Sequence, residues 1–195
     1  MEMRGLTPPW YNSGMDVREA ILRRWSARRY DPNRLLTEEE LYLLMDAARR
    51  APSSYNTQPW RYIVGFNFDD THRKILGILV PGNAEWAKDA PLLGLLIGST
   101  VYPDGTPYRD YRNDCGMSLM ALFLQAVDLG LTCRAMGGFY GERAREVFGI
   151  PEEYEPVVAF ACGKPAEPPN PKEKKPLDEI LFRGKFGEPF GLGGK

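Results

Sequence analysis

Apolar residues recur at two spacings along this chain. Leu41, Leu44, Met45 and Ala48 stand three and four apart, the repeat of one helix face. Thr37 precedes them with Glu40 three residues on, the pattern of a capping box, and Pro52 bars the helix from running further. Asp16 is placed to cap an earlier helix running to about Trp25. Two more helices are predicted over 71–80 and 141–148. The longest spans 114–129 and stops at Gly130. From Met117 to Val127 that helix is apolar almost all round, so it lies at the centre of a core or is shared with a partner subunit.

Strands are predicted at 60–64, at the uncharged run 91–99 and at 156–162, with a further short one before Gly137 and Gly138. Residues 1–14 form a loose arm. Residues 165–176 are rich in Pro and Lys and nearly devoid of apolar side chains, so they form an extended linker. Apolar residues return over 177–186, and a segment beyond such a linker needs a surface to dock on, a second subunit being one economical choice. No repeat and no boundary between independent domains interrupts the 195 residues, which read as one domain, 1–195, with an arm at each end.

Composition narrows the functional classes. Apolar residues at 43% and charged residues at 26% suit a soluble globular protein. Lys+Arg 25 against Asp+Glu 26 leaves no basic excess, so nucleic acid is not an expected partner. No apolar run reaches membrane-spanning length, and residues 1–14 do not resemble a signal peptide, so a cytoplasmic location is expected. Cys115, Cys133 and Cys162 make no metal-ligand pattern and read as buried or reduced thiols. The single histidine, His72, lies in a polar stretch with no triad partners nearby. No metal is expected.

Three clusters carry candidate chemistry. Arg23-Arg24-Trp25-Ser26-Ala27-Arg28-Arg29 offers guanidinium forks and a hydroxyl suited to a phosphate, although a solvated helix end explains the same cluster. Ala51-Pro52-Ser53-Ser54-Tyr55-Asn56-Thr57-Gln58-Pro59-Trp60 packs hydroxyls and amides between prolines, where an ordinary Ser/Asn turn is the plainer reading. In Arg134-Ala135-Met136-Gly137-Gly138-Phe139 the paired glycines allow close approach of backbone to a ligand.

Taken together, Arg-x-Ser-x-Arg-x-Tyr, then Pro-Ser-Ser-x-Asn-x-Gln-Pro-Trp, then a Gly-Leu…Gly-Gly-Phe segment resemble the FMN-binding nitroreductase family over roughly residues 16–186. The resemblance implies an α+β, three-layer fold: a central, mostly antiparallel sheet flanked by helices, with a C-terminal segment extending onto the partner of a homodimer. It implies that Arg24, Ser26 and Arg28 bind the FMN phosphate and ribityl chain. Pro52, Ser53 and Ser54 would contact the flavin, and Asn56 the flavin bound chiefly by the other subunit, with Gln58 supporting the loop. Asn83 would bond the pyrimidine ring, and Gly137 and Gly138 would bring backbone to flavin N5. Arg183 and Lys185 would complete the phosphate site. Trp86 stands where some members have lysine, and Gly137 where some have glutamate.

The implied activity is a two-step cycle in which NAD(P)H reduces FMN and a flat electron-poor small molecule (a nitroaromatic, quinone or flavin) reoxidises it. Reductive dehalogenation, flavin-driven dehydrogenation and a non-catalytic flavin sensor or carrier are alternatives on the same fold. Residues 100–113 correspond to the substrate lid, where Tyr108 and Tyr111 could stack on a ring and Arg109 and Arg112 could meet an anion. A polar surface loop is the competing reading.

Overall fold

A computed structural model describes residues 17–192; the expected arm over 1–14 and the capping role of Asp16 lie outside that range. Four strands form one antiparallel sheet in the order β1-β2-β4-β3, with β1 at Trp60–Phe66, β2 at Leu92–Ser99, β3 at Thr132–Met136 and β4 at Tyr154–Gly163. Six helices accompany it: α1 (Val17–Arg23), α2 (Glu38–Arg49), α3 (Asp70–Ile78), α4 (Pro81–Ala87), α5 (Tyr111–Asp128) and α6 (Gly141–Phe148).

The three layers follow from side-chain alternation on the strands. Leu92 and Leu96 of β2, Cys133 of β3 and Phe160 of β4 share a core with Leu44 and Ala48 of α2 and Leu119, Leu122 and Phe123 of α5. The intervening residues Leu93, Leu95, Met136, Ala159 and Ala161 face the opposite way, onto Ile75 and Ile78 of α3, Ala87 of α4 and Ala144 of α6. β2 is therefore covered on both faces, which is why its sequence is an unbroken apolar run. Runs of that kind are typical of parallel sheets, but here helices cover both sides of an antiparallel one. The interior admits little slack: a Cβ on Gly94 would sit 2.1 Å from the Phe160 ring.

Local signals explain most boundaries. The Thr37 hydroxyl accepts from the Glu40 N–H at 3.1 Å, and the Glu40 carboxylate accepts from the Thr37 N–H at 2.8 Å, closing the capping box of α2. Asp69 caps α3 through the His72 N–H. The sequence reading gave no helix over 81–87, where Pro81 and Gly82 look like breakers. Proline is well suited to the first helical turn, because that N–H has no helical acceptor in any case. His72, in a polar stretch of sequence, is buried; its Nε2–H donates to the Ala90 carbonyl at 2.8 Å. All three cysteines are buried and unpaired.

The long helix α5 buries Ser118, Leu119, Leu122, Phe123 and Ala126 and leaves Met120 exposed; α1, which packs against α5, exposes Val17, Ile21 and Leu22. After β4 the chain bridges Pro165 to Tyr30 and then runs exposed to a hook. The hook closes through Phe182 and Pro189 and presents Leu177, Ile180 and Phe186 to solvent. Among the described residues no helix is long and apolar enough to cross a membrane.

Candidate functional site

The first constellation lies along the β3 edge. β3 pairs with β4 so that Arg134 stands opposite Ala161. Its Nη1 donates to the Ser26 carbonyl at 2.9 Å, and its guanidinium lies 5.5 Å from the centroid of the Trp86 ring. Trp86 in turn stacks on buried Tyr30. The segment before Tyr30 is fixed from two sides. Thr132 Oγ1 donates to the Trp25 carbonyl at 2.8 Å, and Glu167 accepts from the N–H groups of Arg28 and Arg29 at 2.7 and 3.2 Å. A cavity of about 310 Å³ results, lined by Ser26, Arg28, Arg134, Glu167, Asn170 and Lys172.

Three cations against the single carboxylate of Glu167 leave the lining of this cavity positive among the described residues. Among the described residues neither Arg28 nor Arg134 forms an ion pair. Partial burial, and then the charge of Arg28, hold the Arg134 guanidinium below its ordinary pKa. Two guanidiniums turned toward one cavity, with a lysine at its rim, are stabilised by an anion between them. Arg24, from the expected trio, reaches Ser26 Oγ at 3.4 Å.

The same edge continues to Asn83. Asn83 Nδ2 donates to the Gly138 carbonyl at 3.0 Å, and so does the Val80 N–H at 3.1 Å. A Cβ on Gly138 would fall 2.8 Å from Asn83 Nδ2, so α4 can approach only a glycine here, whereas one on Gly137 would meet nothing within 4 Å. Asn83 and Trp86 are one turn apart on α4. The expected residues Ser26, Arg28, Asn83 and Gly138 thus join Arg134 and Trp86 in one continuous band.

The second constellation is the loop over 52–58. Ser54 N–H donates to Asp114 Oδ2 at 2.8 Å, and the Tyr108 hydroxyl donates to the same carboxylate. Gln58 N–H donates to Ser53 Oγ at 2.9 Å and Thr57 Oγ1 to the Ser54 carbonyl at 2.7 Å. These bonds hold Tyr55, Asn56 and Gln58 at φ of 50°, 55° and 51°. Left-handed backbone at non-glycine residues costs roughly 1–2 kcal/mol each and is found where the surroundings enforce it.

One chain does not bring the two constellations together. Strand register sets Arg134, Ala161, Leu93 and Gly65 on one level, while the loop enters β1 at Trp60, level with Gly98. Five residues along the strands and three strand spacings across them separate the corners by roughly 22 Å. They also lie on different layers: Arg134 shares a face with Met136, toward α4, and the loop leaves α2 on the opposite side.

The remaining expected residues are placed as follows. Tyr108 is 1% exposed and stacks under Tyr102, its pKa raised by burial and by the Asp114 carboxylate, so it offers no open ring in this conformation. Arg109 is exposed beside Asp110, while Tyr111 and Arg112 both bond Glu155. Arg183 lies over Phe190 within the hook, and neither it nor Lys185 lines the arginine cavity; Lys172 does. The sequence reading placed Arg134 in a candidate cluster without giving it a role, and gave none to Asp114 or Lys172. The first two are conspicuous afterwards, one a charge inside a short strand and the other opening an apolar helix, but nothing local distinguishes Lys172 from its neighbouring lysines.

The nitroreductase family model matches residues 21–79 and 70–164. The chain belongs to the nitroreductase family. It is 27% identical over 198 residues to YodC of Bacillus subtilis (strain 168), a candidate NAD(P)H nitroreductase, covering 85% of this chain and 96% of that protein. A crystal structure described as an oxidoreductase containing FMN superposes with TM-score 0.82 at 28% identity, covering 95% of this chain and 96% of the other. A nitroreductase family protein from Clostridium difficile 630 superposes with TM-score 0.75 at 28% identity, over 88% and 99%. The α+β architecture inferred from the motifs is thus the nitroreductase fold.

Proposed function

We propose that this nitroreductase-family protein is an FMN-dependent oxidoreductase that draws electrons from NAD(P)H and delivers them to a flat electron-poor small molecule, with two sites at the interface of a homodimer. The observation that carries the reading is the separation of the two constellations. A phosphate suits the cavity of Arg28, Arg134, Ser26 and Lys172, and a planar heterocycle suits the Asn83–Gly138 corner. The strained loop with Ser53, Ser54 and Asn56 then has a ligand to serve only in a second copy.

Bound FMN supplies the redox chemistry, taking electrons from the nicotinamide and passing them to the acceptor. The chain's own residues bind and position. Arg28 and Arg134 neutralise the phosphate. Asn83, anchored on Gly138, keeps its Oδ1 for the pyrimidine edge, and Gly137 leaves the space in front of it open. Pro52, Ser53, Ser54 and Asn56 close the site of the neighbouring subunit. The exposed apolar side chains of α1, Met120 and the hook form the surfaces of contact, and the hook brings Arg183 and Lys185 toward the partner. The whole chain acts as one FMN-binding unit. Three unpaired cysteines are consistent with a cytoplasmic setting, where thiols stay reduced.

Mixing two defective variants tests this. Arg28→Ala/Arg134→Met disables the phosphate cavity, and Ser54→Pro/Asn56→Ala disables the loop. Refolded together they form mixed dimers with one intact site, restoring about a quarter of wild-type NADH- or NADPH-dependent quinone reduction. No recovery, with dimers present by gel filtration, rules out a shared site. An anaerobic visible spectrum with FMN, bleached by NADH or NADPH and restored by quinone, identifies the donor.

A further inference from the structure

Beside the strained loop lies a cleft of about 680 Å³, between residues 55–57 and the hairpin over 100–107. Its size suits a small-molecule site. Tyr102 forms a fixed wall. Its ring stacks on buried Tyr108 at 4.1 Å and 16°, and its N–H donates to the Thr106 carbonyl at 2.8 Å. Its hydroxyl lies 3.3 Å from Ser54 Oγ. Tyr55 stands across from it, edge-on at 6.2 Å between centroids and 93% exposed. In the single chain the Tyr55 ring is solvated, and a flat ring lying against it recovers apolar burial and stacking.

Charge in the cleft has one sign. Among the described residues Asp104 is its one ionised lining residue, with the Thr106 hydroxyl and N–H donating to its carboxylate at 2.7 and 2.9 Å and lowering its pKa. The arginines nearby in sequence face elsewhere, Arg112 to Glu155 and Arg109 to Asp110. A carboxylated or sulfonated ring would therefore enter against Asp104, and among the described residues no cation lines the cleft to receive it.

We propose that this cleft is the acceptor site, that Tyr55 and Tyr102 are its ring-stacking walls, and that Asp104 makes it favour neutral or cationic planar rings over anionic ones. This rests on the reading above, in which Asn56, also lining the cleft, reaches the partner's flavin. Arg109 and Arg112, which the sequence offered for an anion, do not line this cleft.

Calorimetric titration of the oxidised, FMN-loaded protein, without electron donor, tests binding apart from turnover. The probes are 1,4-naphthoquinone and 1,4-naphthoquinone-2-sulfonate. The neutral quinone is expected to bind more tightly. Tyr55→Ala weakens it about 3- to 10-fold and Tyr55→Phe does not, because the ring rather than the hydroxyl carries the contact. Tyr102→Leu acts in the same direction. Asp104→Asn tightens the sulfonate about 3-fold at low salt, with the gain shrinking at high salt. Tighter binding of the sulfonate by the wild type, or a naphthoquinone affinity unmoved by Tyr55→Ala, overturns the proposal. FMN uptake is measured on the same samples. A chain that takes up no FMN removes the underlying reading and this one with it, whereas normal uptake with unmoved quinone affinity removes this one alone.

Discussion

Arg134 lies over the face of Trp86, 5.5 Å from the ring centroid, and donates to the carbonyl of Ser26. Three segments distant in sequence thus hold one cation beside a cavity that also receives Arg28. Stacking on an indole steadies a guanidinium without neutralising it, so the charge stays available to a ligand.

Arg134→Met keeps apolar contact with Trp86 and removes that charge. FMN affinity is expected to fall about 10- to 100-fold, the equivalent of a lost hydrogen bond to a charged group. The melting temperature without FMN should hold steady or rise, because repulsion from Arg28 is relieved. Fluorescence titration and thermal melting read the two effects. A loss of apo stability without a loss of affinity would make Arg134 structural.

Gly138→Ala forces the new methyl against Asn83 and Val80. Overpacking of this kind costs about 1–3 kcal/mol, and displacement of Asn83 should also weaken FMN binding. Gly137→Ala, with open space at its Cβ, is expected to change stability by no more than ~0.5 kcal/mol. Urea unfolding of both variants checks the contrast; equal losses would contradict it.

Asp114→Ala removes a buried acceptor shared by Ser54 and Tyr108. The expected cost is about 1–3 kcal/mol, or a fall in melting temperature of roughly 3–10 °C for a chain of this size. Amide exchange should accelerate over residues 53–58 in particular. Protection there equal to wild type would show that the loop holds its strained backbone without Asp114.

Acid should destabilise the fold in two stages. Burial depresses the pKa of His72, so the unfolded chain takes up a proton first and stability declines as pH falls below about 6.5 toward the folded value. Glu40 follows. Burial is the largest influence on its carboxyl and raises its pKa, yet the bonds from Arg34 and Thr37 together outweigh it and leave the pKa lowered. Its contribution is present above roughly pH 4.3 and disappears as pH falls through the depressed value. Urea midpoints measured across the acid range test the order: His72→Gln should flatten the decline that sets in below about pH 6.5, and Glu40→Gln only the later one that sets in below about pH 4.3.

Much of this protein could be read locally. Thr37 and Glu40 announce α2 because a cap and its reciprocal bond lie three residues apart. The run through Leu92 and Ile97 announces a buried strand, and the lack of apolar residues over 165–176 announces a segment outside the core. The loop motif around Ser53 and Asn56 carried much of the family resemblance, since its residues lie within ten positions of one another.

Tertiary structure alone decided what those pieces do together. Pairing of β3 with β4 delivers Arg134 to Ser26 across 108 residues, and α5 delivers Asp114 to Ser54 across 60. The same packing turned Tyr108 inward, tied Arg112 to Glu155 and put Lys172, not Arg183 or Lys185, into the arginine cavity. Periodicity and capping act over a few residues and are written in the chain. Contact between distant segments depends on which faces are buried against one another, and no local pattern encodes that.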